Sequence, residues 1–204
     1  MRLFVLGATG KTGTEILQLA RARGHEVTAF VRSPHKLTPA PSLTIVRGDP
    51  REEAAIAAAL PGHDAVLSAL GAPPRQAFSP HTLVGDCAKA TVGAMTKAGL
   101  GRLLLVSAAV LFPEKGLSFA FFRWFLQHIA SDLRAAEEAL QSSGLDWTIA
   151  RPPRLTRSPE VTFRALSGGL PKGGSVTSFR AVATFLLDAA EQHGHSREIV
   201  GLAR

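Results

Sequence analysis

The chain has 204 residues, 46% of them hydrophobic and 19% charged, a balance that excludes a disordered chain and suits one globular unit with a substantial core. The net charge is +7, but the cations are scattered, with no run and no interleaved aromatic residues, so nucleic acid is not an expected partner. No apolar run approaches the ~20 residues of a membrane span, and the single cysteine, Cys87, permits no internal disulfide and fits a reducing compartment.

The chain enters an apolar, strand-like stretch at once, Leu3 to Leu6, with no leader peptide ahead of it, and a cytoplasmic location is expected. Gly7-Ala8-Thr9-Gly10-Lys11-Thr12-Gly13 follows, and Ile16, Leu17, Leu19 and Ala20 then fall at helical spacing. The order is strand, tight turn, helix. In such a turn one glycine reverses the chain, one lets the backbone approach a pyrophosphate, and one lets the helix pack on the strand. The helix aims unpaired N–H groups and the positive end of its dipole at the phosphates. The spacing is Gly-x-x-Gly-x-x-Gly. A phosphate-hydrolysing P-loop ending at Gly10-Lys11-Thr12 is excluded, because Val5 stands where its first glycine must be.

Gly24 ends the first helix, and Glu26 to Val31 read as a second strand followed by Arg32-Ser33-Pro34-His35-Lys36. In a dinucleotide-binding sheet, the end of this strand faces the adenosine ribose. An acid there binds the 2′-hydroxyl of NAD, and a cation accommodates the 2′-phosphate of NADP. No Asp or Glu lies between Val27 and Gly48, so Arg32, with Lys36 or His35 as second contact, points to NADP. Leu43 to Arg47 form a third strand ending at Gly48-Asp49, where Asp49 either touches the adenine or caps the helix from Glu52 to Leu60. A fourth strand, Asp64 to Leu70, is near-continuously apolar, as buried parallel strands are. Leu70 and Gly71 at its end bring the backbone to the cofactor, and Arg75 reaches phosphate or substrate.

A helix is expected over Leu83 to Ala98, with Cys87 as a buried structural thiol. The fifth strand, Arg102 to Ser107, continues into Ala108 to Phe112. A helix from Ser131 to Ser142 stops at Gly144, and Asp146 to Ala150 is a sixth strand running into Arg151-Pro152-Pro153-Arg154. Ser158 to Ser178 is rich in Gly and Pro with one alternating piece, Val161 to Ala165, before a helix over Phe179 to Ala190 and a last strand, Glu198 to Leu202. Strands alternating with helices predict an α/β fold over residues 1–204. It is a single Rossmann-type, doubly wound parallel sheet with helices on both faces, its strand ends gathered on one rim.

The loop Gly7 to Gly13, the pair Val31-Arg32, Gly48-Asp49, Ala65-Val66 with Gly71, Ser107-Ala108 and Arg151-Pro152-Pro153 resemble, in this order, the atypical short-chain dehydrogenases/reductases. Within them the chain is most similar to the flavin reductase/biliverdin-IXβ reductase group. The resemblance covers nearly the whole chain. It implies that Ser107 lies beside the nicotinamide and that the backbone around Pro152 and Pro153 holds its carboxamide side. Two departures matter. There is no tyrosine, so the Tyr-x-x-x-Lys proton donor of the wider superfamily is missing. Arg154 also stands where the mammalian biliverdin/flavin reductase has a histidine, which speaks against a bilin substrate.

The expected activity is NADPH-dependent transfer of hydride to a flavin (FMN, FAD or riboflavin, as substrate) or a similar flat acceptor. The cofactor supplies the hard chemistry, Ser107 orients the nicotinamide or donates to the substrate, and Arg154 or Lys115 stabilises charge on the reduced ring. The substrate side is expected from residues 108–130 and 151–178. The aromatic residues Phe112, Phe119, Phe121, Phe122, Trp124 and Phe125 form either a lid over a flat ring, a core or a subunit contact. His128 reads as structural. The alternative function is an NmrA-like regulator that binds NAD(P) without turnover. The expected partner is a small molecule, and the chain is monomeric or homodimeric.

Overall fold

The computed structural model describes residues 1–72, 79–113 and 127–204. Its strands are β1 (Arg2–Leu6), β2 (Glu26–Val31), β3 (Leu43–Arg47), β4 (Ala65–Ser68), β5 (Arg102–Val106), β6 (Asp146–Arg151), β7 (Arg154–Thr156), β8 (Arg164–Ser167), β9 (Val176–Ser178) and β10 (Glu198–Ala203). The helices are α1 (Lys11–Ala22), α2 (Glu53–Ala59), α3 (Leu83–Ala98), α4 (Gln127–Gln141) and α5 (Phe179–Glu191).

The continuous apolar runs of the strands follow from burial on both faces. In β1, Leu3 and Val5 join a core layer with Ile16 and Leu17 of α1 and Val182 and Leu186 of α5. Phe4 and Leu6 join the opposite layer, with Ile56 of α2, Val84 and Met95 of α3 and Leu133 of α4. The main sheet runs β3-β2-β1-β4-β5-β6-β10-β8, parallel except for β8 at the edge, which pairs antiparallel with β10. Strand order reverses between β1 and β4, so a crevice opens at their carboxyl ends, the place where open α/β sheets bind ligands.

The doubly wound α/β sheet thus follows the sequence pattern, with local differences. The fifth strand ends at Val106. Ala108 to Phe112 do not extend it but turn through a short 3-10 helix, Ala109–Leu111, because the Ala109 N–H is drawn to the Pro152 carbonyl at 2.9 Å. Helix α4 already includes Gln127 to Ala130, ahead of the expected start at Ser131; Ile129 packs against the layer that holds Leu133, and Ala130 is buried. The alternating piece 161–165 is not the strand. β8 lies at Arg164–Ser167 with every residue exposed, so burial imposes no period-2 pattern there. Three-residue strands β7 and β9 pair parallel in a small second sheet, too short to leave a periodic trace.

Candidate active site

Two glycines of the loop have steric reasons to be there. Gly7 has φ +76°, and a Cβ on it would lie 2.6 Å from the Ala69 carbonyl carbon, so the loop is pressed against the end of β4. A Cβ on Gly13 would lie 2.1 Å from the Gly7 oxygen, which fixes how closely α1 packs on the loop. Gly10 is the N-cap of α1 and supplies no side-chain cap, and no acid stands in the first turn. The first helical bond runs from Thr14 N–H to the Gly10 carbonyl at 2.8 Å. The N–H groups of Lys11, Thr12 and Gly13 are thereby left without helical partners and form an anion-binding end.

Two cavities flank this helix end and share Leu70. The smaller, about 100 Å³, is lined by Gly7, Thr9, Arg32, Lys36 and Pro50 among others. The larger, about 250 Å³, is lined by Thr12, Ala69 to Ala72, His81, Val106, Ser107, Asp132 and Leu155 among others. Arg32 and Lys36 are exposed at the smaller one, and neither forms an ion pair among the described residues. Among the described residues, its chain neighbours aside, nothing lies within 4 Å of where a Cβ on Gly71 would sit.

Ser107, just past β5, is buried at the wall of the larger cavity. Its hydroxyl donates to Glu137 Oε1 at 2.5 Å. Arg151 completes the group, donating from Nε to Oε1 at 2.9 Å and from Nη2 to Oε2 at 2.5 Å. The Arg151 guanidinium also lies over the Phe112 ring, 4.7 Å from its centroid. Glu137 is 2% exposed, and three charge-assisted bonds account for its burial. The Ser107 proton is thus directed to Glu137, and its lone pairs are what remain on the oxygen.

The structure separates several other expected site residues from the cavities. Arg154 is exposed and lines a different cavity of about 110 Å³ with Glu160 and Arg204, not the Ser107 cavity. The Lys11 ammonium lies over the Phe179 ring at 5.3 Å, outside both cavities. Gly48 is explained by packing: a Cβ would meet Phe30 Cζ at 2.1 Å. Asp49 neither caps α2, whose N-cap is Glu52, nor lines either of these two cavities. It accepts Arg51 N–H at 3.0 Å and Arg51 Nη2 at 2.6 Å, and those Arg51 hydrogen bonds, opposed by partial burial, hold its carboxyl down to about 2. Pro152 is buried with its carbonyl taken by Ala109, and the half-buried Pro153 follows it; neither lines the Ser107 cavity. Phe112 is a core ring under Arg151. Arg75, Lys115, Phe119, Phe121, Phe122, Trp124 and Phe125 lie outside the described residues. Cys87 is buried, and desolvation pushes its thiol up to about 12, so it is an inert core group.

Glu137, Asp132 and His81 are site residues that the sequence reading passes over. Their signal is weak but physical: Asp132 and Glu137 are acids beside the apolar stripe Ile129, Leu133, Ala136 and Leu140 of α4, where an unpaired carboxylate is costly.

Residues 7–193 match the model of a family described as NAD(P)H-binding. The Bacillus subtilis protein YwnB, itself uncharacterized, is 28% identical over 211 residues, covering 97% of this chain and 96% of the relative. A solved protein from Burkholderia pseudomallei is 30% identical with TM-score 0.81, and each chain is covered completely. A short-chain dehydrogenase/reductase from Veillonella parvula, solved with NADP, shares the fold at TM-score 0.82 and 18% identity, covering 100% of this chain and 94% of that one. With the glycine loop, the helix end and the crevice in place, the chain belongs to this NAD(P)H-binding family.

Proposed function

We propose that this protein is an NADPH-dependent reductase that passes hydride to a flavin or to a similarly flat, conjugated small molecule. The observation that carries the reading is the larger cavity: it is walled mainly by apolar groups, opens beside the anion-binding end of α1, and has Ser107 at its inner side. The residues fit a dinucleotide laid across the crevice. The free N–H groups of Lys11, Thr12 and Gly13 suit a pyrophosphate, and Arg32 with Lys36 suits a 2′-phosphate. The neighbouring fold from Veillonella was solved with that nucleotide.

When bound, NADPH supplies the hydride. The protein's part is positional. The Ser107 oxygen, held by Glu137, which Arg151 in turn holds, would accept a hydrogen bond from the nicotinamide carboxamide and so orient the ring. The apolar wall excludes water from a flat acceptor. The chain has no tyrosine, so alcohol–ketone chemistry by a Tyr–Lys pair is not available, and an acceptor that needs only hydride and a readily supplied proton is the better match.

The test is NADPH oxidation with FMN, riboflavin and a bilin in turn, with NADH in parallel. Saturable oxidation with a flavin, preferring NADPH, supports the reading. Tight NADPH binding without turnover of any acceptor contradicts it and favours a nucleotide-sensing regulator.

A further inference from the structure

The main sheet ends at β8, and among the described residues no strand lies beyond it. Its four residues, Arg164 to Ser167, are all exposed, so no side chain of β8 packs into a core. The strand is held to β10 through its main chain, antiparallel, with Leu166 opposite Gly201 and Ser167 opposite Val200. One bond gives the phase of the ladder: the Gly168 N–H donates to the Ile199 carbonyl at 2.8 Å. In an antiparallel sheet the main-chain groups of successive residues point alternately to one neighbour and to the other. Counting back from Gly168, Leu166 and Arg164 turn their N–H and C=O groups to β10, and Ser167 and Ala165 turn theirs outward. The outer edge thus offers the N–H and C=O of both residues to a further strand. The large apolar side chains exposed among the described residues are Leu166, at 47%, and Val161, at 45%. One lies within this edge strand and the other shortly ahead of it.

We infer that β8 is a self-association edge, pairing antiparallel with β8 of a second copy of this chain about a two-fold axis. The register follows from the phase. Satisfying every outward group of both strands requires hydrogen-bonded pairs that join Ala165 of each copy to Ser167 of the other. That register puts Leu166 on the axis. There it stands opposite Leu166 of the second copy, in the non-hydrogen-bonded position where side chains approach most closely. It also sets Arg164, the one charged residue of β8, against Gly168 of the second copy, so no like charges oppose the pairing. A second copy is favoured over an unrelated strand because it necessarily brings a matching apolar side chain to Leu166. The two-fold contact closes on itself and does not run on into a fibre. Four residues a side is far short of the ~20–30 of a standard interface, so the pairing is weak and reversible. The inference is independent of the reductase reading: β8 lies beyond β6 and β10 from β5, and none of its residues lines the Ser107 cavity.

The experiment is sedimentation velocity of the full-length protein from about 1 µM to about 1 mM, the range in which weak pairing saturates. The wild type is expected to pass from monomer toward dimer, with the weight-average mass approaching twice the monomer value. Ala165→Pro removes an outward N–H at an edge position that the fold tolerates, and Leu166→Lys puts two like charges on the axis. Both should stay monomeric throughout, with the circular dichroism and melting temperature of the wild type. Disulfide trapping reads the register, because Cys87 is buried and does not compete. Under mild oxidant Leu166→Cys, which brings two thiols across the axis, should cross-link at least about tenfold faster than Ala165→Cys, whose thiols belong to different pairs. A wild type that stays monomeric over the whole range overturns the inference, and this result stands even if a variant fails to fold. Dimers that persist in both Ala165→Pro and Leu166→Lys place the contact elsewhere and overturn it as well. Equal trapping of the two cysteine variants overturns the two-fold register.

Discussion

Ser107 shows how a single side chain's role is set by what lies behind it. Its hydroxyl proton belongs to Glu137, so only lone pairs face the cavity. Ser107→Ala is expected to lower kcat for flavin reduction about 10- to 100-fold, the scale of a lost positioning contact, while NADPH affinity changes less than threefold by fluorescence titration. A loss of affinity as large as the loss of kcat would show that the contact is made equally in the ground state. Asp49 has a role in the fold through Arg51. Its carboxyl is held down to about 2, first by the Arg51 side-chain hydrogen bonds, against the opposing effect of burial. The sign follows from linkage: a lowered folded-state value means stability that is present above the ordinary carboxylate range and is lost as pH falls toward that value. Asp49→Asn should therefore unfold more easily than wild type near neutral pH, by a modest amount because Arg51 is 53% exposed. The gap should close as the solution approaches pH 2. A gap that persists unchanged into acid would assign the stability to something other than this carboxylate.

At the level of elements, the strand–loop–helix start of the chain is where sequence and structure correspond most closely, and the reason is steric. Gly13 has no room for a side chain, because a Cβ would lie 2.1 Å from the Gly7 oxygen, whereas Gly71 has room on the protein side and borders the larger cavity. Gly13→Ala should cost about 1–3 kcal/mol or more in denaturant unfolding. Gly71→Ala should leave stability within about 0.5 kcal/mol and weaken NADPH binding. Equal effects of the two on unfolding would contradict this division. Helix α4 is joined to β6 by the Glu137–Arg151 fork, so Glu137→Ala leaves Arg151 nearly buried and unpaired. A destabilisation of about 3–5 kcal/mol is expected, with loss of Ser107 orientation besides. This link was not legible in the sequence. Glu137 and Arg151 are 14 positions apart on a helix and a strand, and only tertiary packing brings them together. The same holds for His81 and Asp132. By contrast, Leu3 to Leu6, Ile16 and Leu17 signal their elements through local period and burial alone. Arg154 follows two prolines, a local feature, but it lies on β7, paired with β9, and lines a cavity apart from Ser107; those strands are too short to read.

For the whole molecule, the sheet order gathers onto one rim the end of β1, the Arg32 end of β2, the Gly71 turn after β4, and Ser107 after β5. None of these segments is near another in sequence beyond the first loop, so the crevice is a product of right-handed crossovers in a parallel sheet. Nucleotide preference belongs to this scale. On the proposed reading it depends on the cation-bearing end of β2, with no acid between Val27 and Gly48. Arg32→Glu is expected to reverse the ratio of NADPH to NADH efficiency while leaving the maximal rate with the better nucleotide within about threefold. An unchanged ratio would move the selectivity elsewhere on the rim. Among the described residues no helix is long and apolar enough to cross a membrane.

The most direct test of the central claim is steady-state oxidation of NADPH by the wild-type protein at increasing FMN. Saturation in both nucleotide and flavin, with reduced flavin formed one for one with NADPH consumed, is the predicted result. Saturable NADPH binding with no FMN-dependent oxidation at any flavin concentration would contradict it.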